Sequence, residues 1–300
     1  MLRFRFITPL ACAFALFTAT FAAAQDSPFP DPNDPNPGAI TLTAAGDAVS
    51  TYMFRGIRQN TTGIALQPYA DVGVALFSGG EGGFKSVTLN VGTWNSLHTG
   101  DTGANSASGN MWYESDFYST LSAGFGGGAA VGATFTAYTS PNAGFTTIRE
   151  VALKFGVDDS GFMGGAALHP YAMLGFELLT KPGVGQADGG DKAGKYLELG
   201  AAPSFTGRAL TVAAPLKVGL SAGDYYERRD LTTGLVVEDS RFGFFSVAGI
   251  VTVPLGGTSR FGAFNVHGGV EYQRLGDTTA QMNDGKFDKV IGSFGFGLTY

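Results

Sequence analysis

From Ala39 to Tyr300 the chain places apolar residues at every second position, with small or polar residues between them. Because alternate side chains of a β-strand point to opposite faces, this period predicts strands with one apolar and one polar face. Twelve segments show it: 39 to 54, 63 to 77, 84 to 95, 110 to 125, 129 to 138, 145 to 156, 166 to 178, 194 to 205, 209 to 222, 242 to 255, 261 to 274 and 288 to 300. The pattern predicts an all-β fold.

The connections between these segments alternate in length. The short, turn-like ones are "SGGEGG" (78 to 83), "GGG" (126 to 128), "VDDSGFMG" (157 to 164), "TGR" (206 to 208) and "GGTSR" (256 to 260). The connections between them include long polar ones such as "SLHTGDTGANSASG" and "GDYYERRDLTTGLVVEDSR". Short turns at one end and longer loops at the other are typical of an up-and-down barrel with an even number of strands. Residues 39–300 are therefore predicted to form an antiparallel up-and-down β-barrel of about 12 strands.

Charge content indicates which face of the strands points outward. Charged residues make up 15% of the chain, against ~25% in ordinary soluble domains. The polar face of segments such as "AAVGATFTAY" holds only small residues, which suits a narrow lumen better than a wetted exterior. The apolar face is predicted to contact lipid through Phe264, Val266, Val270, Tyr272, Val290, Phe294, Phe296, Leu298 and Tyr300. A transmembrane barrel is favoured, and a secreted soluble β-sandwich or lipocalin-like barrel is the alternative.

The amino terminus has the features of a secretory signal peptide. Arg3 and Arg5 precede an apolar stretch, and Ala24 offers a cleavage site before Gln25. The apolar run from 7 to 21 is shorter than the ~20 residues of a membrane-spanning helix. We predict a signal peptide over 1–24, followed by an extended, Pro-rich tail over 25–38.

Removal of this leader would take away the only cysteine, Cys12. Thiolate catalysis and Cys-ligated metals are then excluded from the mature chain. The formal net charge of −6, which becomes more negative without Arg3 and Arg5, argues against nucleic-acid binding.

The final strand ends in "GSFGFGLTY", with Phe294, Phe296, Leu298 and Tyr300 on alternate positions. Aromatic rings at strand ends suit the girdle at the headgroup level of a membrane. The pattern also resembles the C-terminal insertion signal of bacterial outer-membrane proteins. This resemblance implies outer-membrane lipid and the outer-membrane assembly machinery as partners.

Two stretches resemble a specific family. "GDAVSTYMFRGIRQ" in the first hairpin is similar to the Ser-x-Tyr-x-Phe-Arg-Gly-x-x-Gln opening of the TorF family of proteobacterial porins, and "WYESDFYSTLSAGF" to its Trp-x-Glu-x-Asp-x-Tyr strand. The chain departs from that pattern at Arg58, where Ser or Thr is more usual, and in its Pro-rich preface. The resemblance implies an outer-membrane location and a barrel more than it implies a substrate.

The alternation places most strand charges on the inward face. The acids are Asp47, Asp71, Glu114, Asp116, Glu150, Glu177, Glu198 and Glu271, and the bases are Arg55, Lys154 and Lys217. A water-filled lumen with this excess of acids concentrates cations and repels anions. Alternatively, these charges pair with one another to close a small barrel. Twelve strands lie between side-chain-filled and open barrels, so a narrow pore is expected.

Arg55 stands at the mouth of the first strand, just before Gly56 turns the chain. We expect it to reach Glu114 or Asp116, either as a selectivity charge or as an ion pair that anchors the first loop. Glu114 and Asp116 are two residues apart, which puts both carboxylates on one face about 7 Å apart.

Enzyme chemistry finds little support. Of the three histidines, His98 falls in a predicted long loop, and His169 and His267 have inward parity without a serine two residues away. No hydrolytic dyad is predicted on the outer wall. The loop pieces "DGGDK" and "NDGKFD" are read as solvated loops rather than calcium sites. We predict no enzyme activity, no cofactor and no metal.

The sequence thus predicts a passive, narrow channel for small hydrophilic solutes or ions, biased toward cations by its acidic lumen. The alternative is a structural or surface-binding barrel, plugged by its own side chains or by the Pro-rich tail. In that case loops 223 to 241 and 275 to 287 would be its working surface.

Overall fold

The structure is a computed structural model that describes residues 39–79, 83–100, 111–164, 167–178, 192–207, 209–230, 232–233, 235–257 and 261–300. The predicted signal peptide (1–24) and Pro-rich tail (25–38) lie outside these residues and stay predictions.

Twelve antiparallel strands form one closed sheet, which confirms the predicted barrel. Each strand pairs with the next, and the last pairs with the first. In chain order they are β1 Ile40–Val49, β2 Ala65–Ser78, β3 Phe84–His98, β4 Trp112–Phe125, β5 Ala129–Thr139, β6 Ile148–Val157, β7 Tyr171–Glu177, β8 Lys195–Ala201 with Ser204–Thr206, β9 Thr211–Ala213 with Leu216–Gly223, β10 Phe242–Pro254, β11 Ala263–Leu275 and β12 Asp288–Thr299.

The carboxyl-terminal residue is part of the barrel closure. The Tyr300 N–H donates to the Leu42 carbonyl at 2.7 Å, and the Leu42 N–H donates to the Tyr300 carbonyl at 2.6 Å. The start of β1 and the end of β12 therefore lie at the same end of the barrel. This end carries the shorter connections, and we call it the turn end. The opposite end, called the loop end, carries connections 50–64, 99–111, 140–147, 178–194, 224–241 and 276–287.

The outer surface of the barrel is apolar. On β12, Val290 and Phe294 are 63% and 64% exposed. At the turn end, the centroid of the Phe84 ring lies 5.3 Å from that of Phe77 and 5.7 Å from that of Phe125. All three rings are exposed. An exposed apolar wall with an aromatic rim matches the lipid-facing band of a transmembrane barrel.

The first strand is shorter than predicted. The sequence alternation runs to residue 54, but β1 ends at Val49 and the chain then turns into the lumen. The turn forms because Arg55 and Gly56 adopt φ of 49° and 80°, which reverses the chain between the two short strands Met53–Phe54 and Ile57–Arg58. The resulting segment, residues 50–64, is called the inner loop below.

The connection 158–170 is longer than predicted. The strand expected from residue 166 begins at Tyr171. The Leu168 and His169 N–H groups donate to the Asp159 carboxylate instead of joining the sheet. A short helix, α1 (Ser160–Met163), occupies the start of this connection, and α2 (Asp277–Gln281) lies in the last connection at the loop end.

Glycine makes room for aromatic rings inside the barrel. A Cβ atom added at several inward glycines would overlap the tyrosine ring that packs on the glycine. The pairs are Gly92 with Tyr118, Gly200 with Tyr171, and Gly243 with Tyr226. Part of the glycine content of the chain, 46 of 300 residues, therefore makes room for tyrosine rings in the lumen.

Candidate functional site

The candidate site is the barrel lumen, and the structure places every predicted lumen charge inside it. Two of them are half-buried and the rest are buried. The half-buried residues are Lys154 and Lys217, and the buried ones are Asp47, Arg55, Asp71, Glu114, Asp116, Glu150, Glu177, Glu198 and Glu271. The predicted role in selectivity is a separate question and stays a prediction.

Arg55 pairs with the opposite wall rather than with β4. Its Nη1 and Nη2 donate to the two carboxylate oxygens of Glu150 at 2.6 and 2.7 Å. The expectation that Arg55 reaches Glu114 or Asp116 is wrong, because the inner loop carries its guanidinium across the lumen to β6. The Tyr226 hydroxyl donates to the Arg55 carbonyl at 2.8 Å, and the Tyr196 ring centroid lies 4.1 Å from Arg55 Cζ. Arg55 therefore anchors the inner loop within the barrel.

An aromatic cluster surrounds this ion pair. Its four members are at most 1% exposed: Tyr196, Tyr225, Tyr226 and Phe244. The centroid of the Tyr225 ring lies 5.0 Å from that of Tyr196 and 4.9 Å from that of Tyr226. Sequence reasoning missed Tyr225 and Tyr226, which belong to the long loop "GDYYERR". Two adjacent aromatics in an otherwise polar loop were the signal that could have found them.

The lumen is therefore filled toward the loop end and lined by small polar residues toward the turn end. The inner loop, Tyr225, Tyr226 and α2 pack against the wall at the loop end. Half-buried small residues line the other part: Thr41, Thr43, Thr88 and Ser122. In this conformation the loop end of the lumen is closed by side chains.

Several lumen carboxylates have full sets of partners. Glu198 accepts hydrogen bonds from the Tyr171 hydroxyl at 2.7 Å and the Tyr196 hydroxyl at 2.6 Å. Asp47 lies 2.6 Å from Nε2 of His267. Such groups fit the structural alternative, in which lumen charges satisfy one another.

Two other lumen acids, Asp71 on β2 and Asp116 on β4, have fewer hydrogen-bond partners. Among the described residues, Asp71 receives one hydrogen bond, from Asn90 Nδ2 at 2.6 Å. Its second oxygen is buried, and the Tyr118 hydroxyl is directed at this carboxylate without completing a hydrogen bond. Asp116 is 2% exposed and neither of its oxygens completes a hydrogen bond with a described residue. Burying an ionised carboxylate without a partner costs several kcal/mol, roughly, compared with leaving it in water. The packing of the described residues therefore gives no reason for acids at these two positions.

His98 differs from its prediction. It lies at the end of β3 rather than in a loop, 1% exposed, and its Nε2 is 2.9 Å from Ser96 Oγ. The strand continues three residues past its predicted end because β3 keeps pairing with β2 up to Ala65. The Ser96–His98 pair faces the lumen and is sealed from solvent, with the Tyr113 ring stacked on His98 at 4.5 Å between centroids. It is therefore not a dyad open to a lipid substrate on the outer wall.

A second cluster of ligand-type side chains lies in the connection 158–170 at the turn end. Asp158, Asp159 and His169 bring one oxygen or nitrogen atom each within 4.8 Å of one another. The backbone N–H of Leu168, helped by that of His169, holds the pKa of the Asp159 carboxyl below its ordinary value of 3.8. The Asp159 oxygens thus already accept backbone donors that close the connection.

Fold and exterior together define a class of protein. A closed antiparallel barrel with an apolar exterior and a polar, charged interior has the architecture of a transmembrane β-barrel. Among the described residues, no helix is both long and apolar enough to cross a bilayer.

No protein-family model and no curated protein matches the chain, so the resemblance to the TorF family stays a prediction. Solved structures of similar fold include a porin, an outer membrane channel and the translocator domain of an autotransporter. An outer membrane channel from Pseudomonas putida F1 is 10% identical, with a TM-score of 0.47 and coverage of 90% of this chain and 99% of that one. The NanC porin is 11% identical, with a TM-score of 0.40 and coverage of 86% and 98%. The translocator domain of NalP from Neisseria meningitidis is 13% identical, with a TM-score of 0.44 and coverage of 88% and 89%.

Proposed function

We propose that the protein is an outer-membrane channel for passive diffusion of small hydrophilic solutes or ions, biased toward cations. The observation that carries this proposal is that buried oxygens of two lumen acids, both of Asp116 and the second of Asp71, complete no hydrogen bond with a described residue. A barrel selected only for stability is better served by apolar residues at such positions, since a buried charge without a partner destabilises the fold.

In a hydrated lumen the same carboxylates act on solutes. A narrow passage with low-dielectric walls focuses the field of its charges and raises the local concentration of the opposite charge. Of the eight buried lumen acids, Glu150 neutralises Arg55, and the other seven face two half-buried lysines. The balance favours cations. Conduction requires the inner loop to leave the closed position described above.

The test is conductance of the folded protein in a planar bilayer with a KCl gradient. We expect discrete conductance steps and a reversal potential that is shifted toward the equilibrium potential of potassium. The double variant E114N/D116N removes two lumen charges and shifts the reversal potential toward zero, whereas E238Q, in an exposed pair with Arg228 outside the barrel, leaves it unchanged. Absence of steps from folded protein contradicts the channel, and anion preference contradicts the role of the carboxylates.

A second function has an observation in its favour. The closed loop end, with its fully buried tyrosines, suits a structural or surface-binding barrel whose exposed loops meet a partner. That barrel would show no conductance under any voltage or after removal of the inner loop. The same bilayer recording therefore separates the two candidates.

A further inference from the structure

One part of the lumen combines two carboxylates with an unpartnered hydroxyl. Glu114 and Asp116 project from the same face of β4 and are 4% and 2% exposed. Tyr52, from the inner loop, is 3% exposed and interacts electrostatically with both. Among the described residues, neither the Tyr52 hydroxyl nor the two oxygens of Asp116 complete a hydrogen bond, although the hydroxyl is directed at Glu114 and Glu114 is directed at Asp116. The backbone N–H of Thr139 points toward Asp116 without completing a hydrogen bond.

The described residues supply no counter-charge for this group. Two cations of the lumen are engaged elsewhere, because Arg55 forms its bidentate pair with Glu150 and Lys217 interacts with Glu198. No salt bridge to Glu114 or Asp116 forms within the part of the chain that the structure describes. Two buried, ionised carboxylates side by side without a counter-charge are unfavourable unless a cation or a proton neutralises them.

We propose that Glu114, Asp116 and the Tyr52 hydroxyl bind a divalent cation of the hard, oxygen-preferring kind. Two carboxylates supply the two negative charges that such an ion neutralises, and a hydroxyl adds a third oxygen. The ion links the wall strand β4 to the inner loop through Tyr52, so its binding holds the loop inside the barrel. This proposal rests on the acidic lumen proposed above and names the ligand of one part of it.

The site contains its own reporter. The Trp94 ring centroid lies 5.2 Å from that of Tyr52, and the second tryptophan, Trp112, is exposed at the loop end. A W112F background therefore isolates the fluorescence of Trp94. Folded protein in detergent is titrated with CaCl2 and separately with MgCl2 at constant ionic strength, with KCl and choline chloride as controls.

We expect a saturable change in Trp94 fluorescence and a rise in the unfolding temperature with Ca2+ or Mg2+, but not with choline. D116N weakens binding at least about tenfold, because affinity for such ions follows the number of ligand charges. Y52F weakens the binding of these ions less than D116N does, because it keeps both wall carboxylates. This variant tests the site even if D116N fails to fold. The matched control D284N, which removes an exposed loop carboxylate, binds as the parent does.

Absence of a saturable response to either divalent ion overturns the proposal, as does binding by D116N and Y52F that is as tight as that of the parent. If the pair instead shares a proton, pH alters the fluorescence while divalent ions do not, which also overturns it. The failure of the channel is a separate outcome: a barrel that binds Ca2+ but shows no conductance retains the site and loses the proposed function.

Discussion

Arg55 shows how one residue shapes this lumen. Its φ of 49° reverses the chain, its guanidinium forms a bidentate pair with Glu150, and its carbonyl accepts the Tyr226 hydroxyl. A buried arginine joined to a carboxylate in two-point geometry is stable only while both partners are present.

The substitution R55A leaves Glu150 buried without its partner. We expect a loss of about 3–5 kcal/mol in the free energy of unfolding, the usual cost of breaking a buried pair. Urea unfolding of the barrel in lipid vesicles, monitored by tryptophan fluorescence, measures it. R58A is the matched control, because Arg58 pairs with the exposed Asp284 and such pairs contribute roughly 0–1 kcal/mol. Equal effects of the two substitutions would contradict the anchoring role of Arg55.

At the scale of elements, the inner loop is the part of the chain that closes the lumen. It leaves the wall after Val49, places Tyr52 and Arg55 among the lumen side chains, and returns to β2 at Ala65. A barrel of twelve strands otherwise has room for a narrow passage.

Replacing residues 53–58 with two glycines removes the closing hairpin while β1 and β2 keep their pairing. We expect the single-channel conductance in a planar bilayer to increase, because Arg55 and the packing it organises are gone. The control replaces Thr232 and Thr233, which lie at the tip of an exposed hairpin, with glycine and leaves the conductance unchanged. An unchanged conductance in the shortened protein would mean that other side chains close the lumen.

The connection 158–170 depends on one carboxylate. Because its folded-state pKa is lowered, Asp159 stabilises this connection above its ordinary pKa of 3.8, and the contribution disappears as pH falls through the lowered value. Pepsin, active at acid pH, should cut within 158–170 at pH 2 but not at pH 4. D159N should be cut at both pH values, whereas D230N, which removes a similar turn carboxylate at the loop end, should behave as the parent. Protection of D159N at pH 4 would contradict this account.

Local sequence patterns predict the strands well and the contents of the lumen poorly. Alternation identifies β2 through β12 because each strand shows its two faces within itself. It fails at residues 50–54, where the period continues although the chain has left the wall. It also cannot pair Arg55 with Glu150, 95 positions away, because that contact depends on the direction of the inner loop. The same limit applies to Tyr225 and Tyr226. They belong to a loop in the local sequence, and only the folded chain brings them into the lumen.

At the scale of the whole molecule, the distribution of polarity is reversed relative to a soluble protein. Val290 and Phe294 are exposed on the outer wall, while Glu150 and Asp116 are buried within. Water on both sides would make this arrangement unstable, since it exposes an apolar belt and buries charge. Hydrocarbon outside and a polar lumen inside remove the first of these costs.

The substitution F294K places a charge at the middle of β12 on the outer wall. If hydrocarbon surrounds that position, we expect a loss of about 2–4 kcal/mol in the free energy of unfolding from vesicles. F287K, in the connection just before β12, should cost no more than about 1 kcal/mol, because charges near the interface are tolerated. A neutral or stabilising effect of F294K would indicate water at the outer wall.

The central claim is that lipid, rather than water, covers the apolar outer wall of the barrel. Refolding the urea-denatured chain from Gln25 onward with and without phospholipid vesicles tests this most directly, with far-UV circular dichroism and vesicle flotation as readouts. We predict β-structure and co-flotation only when vesicles are present, and aggregation without them. A compact, β-rich monomer in lipid-free and detergent-free buffer would contradict the account.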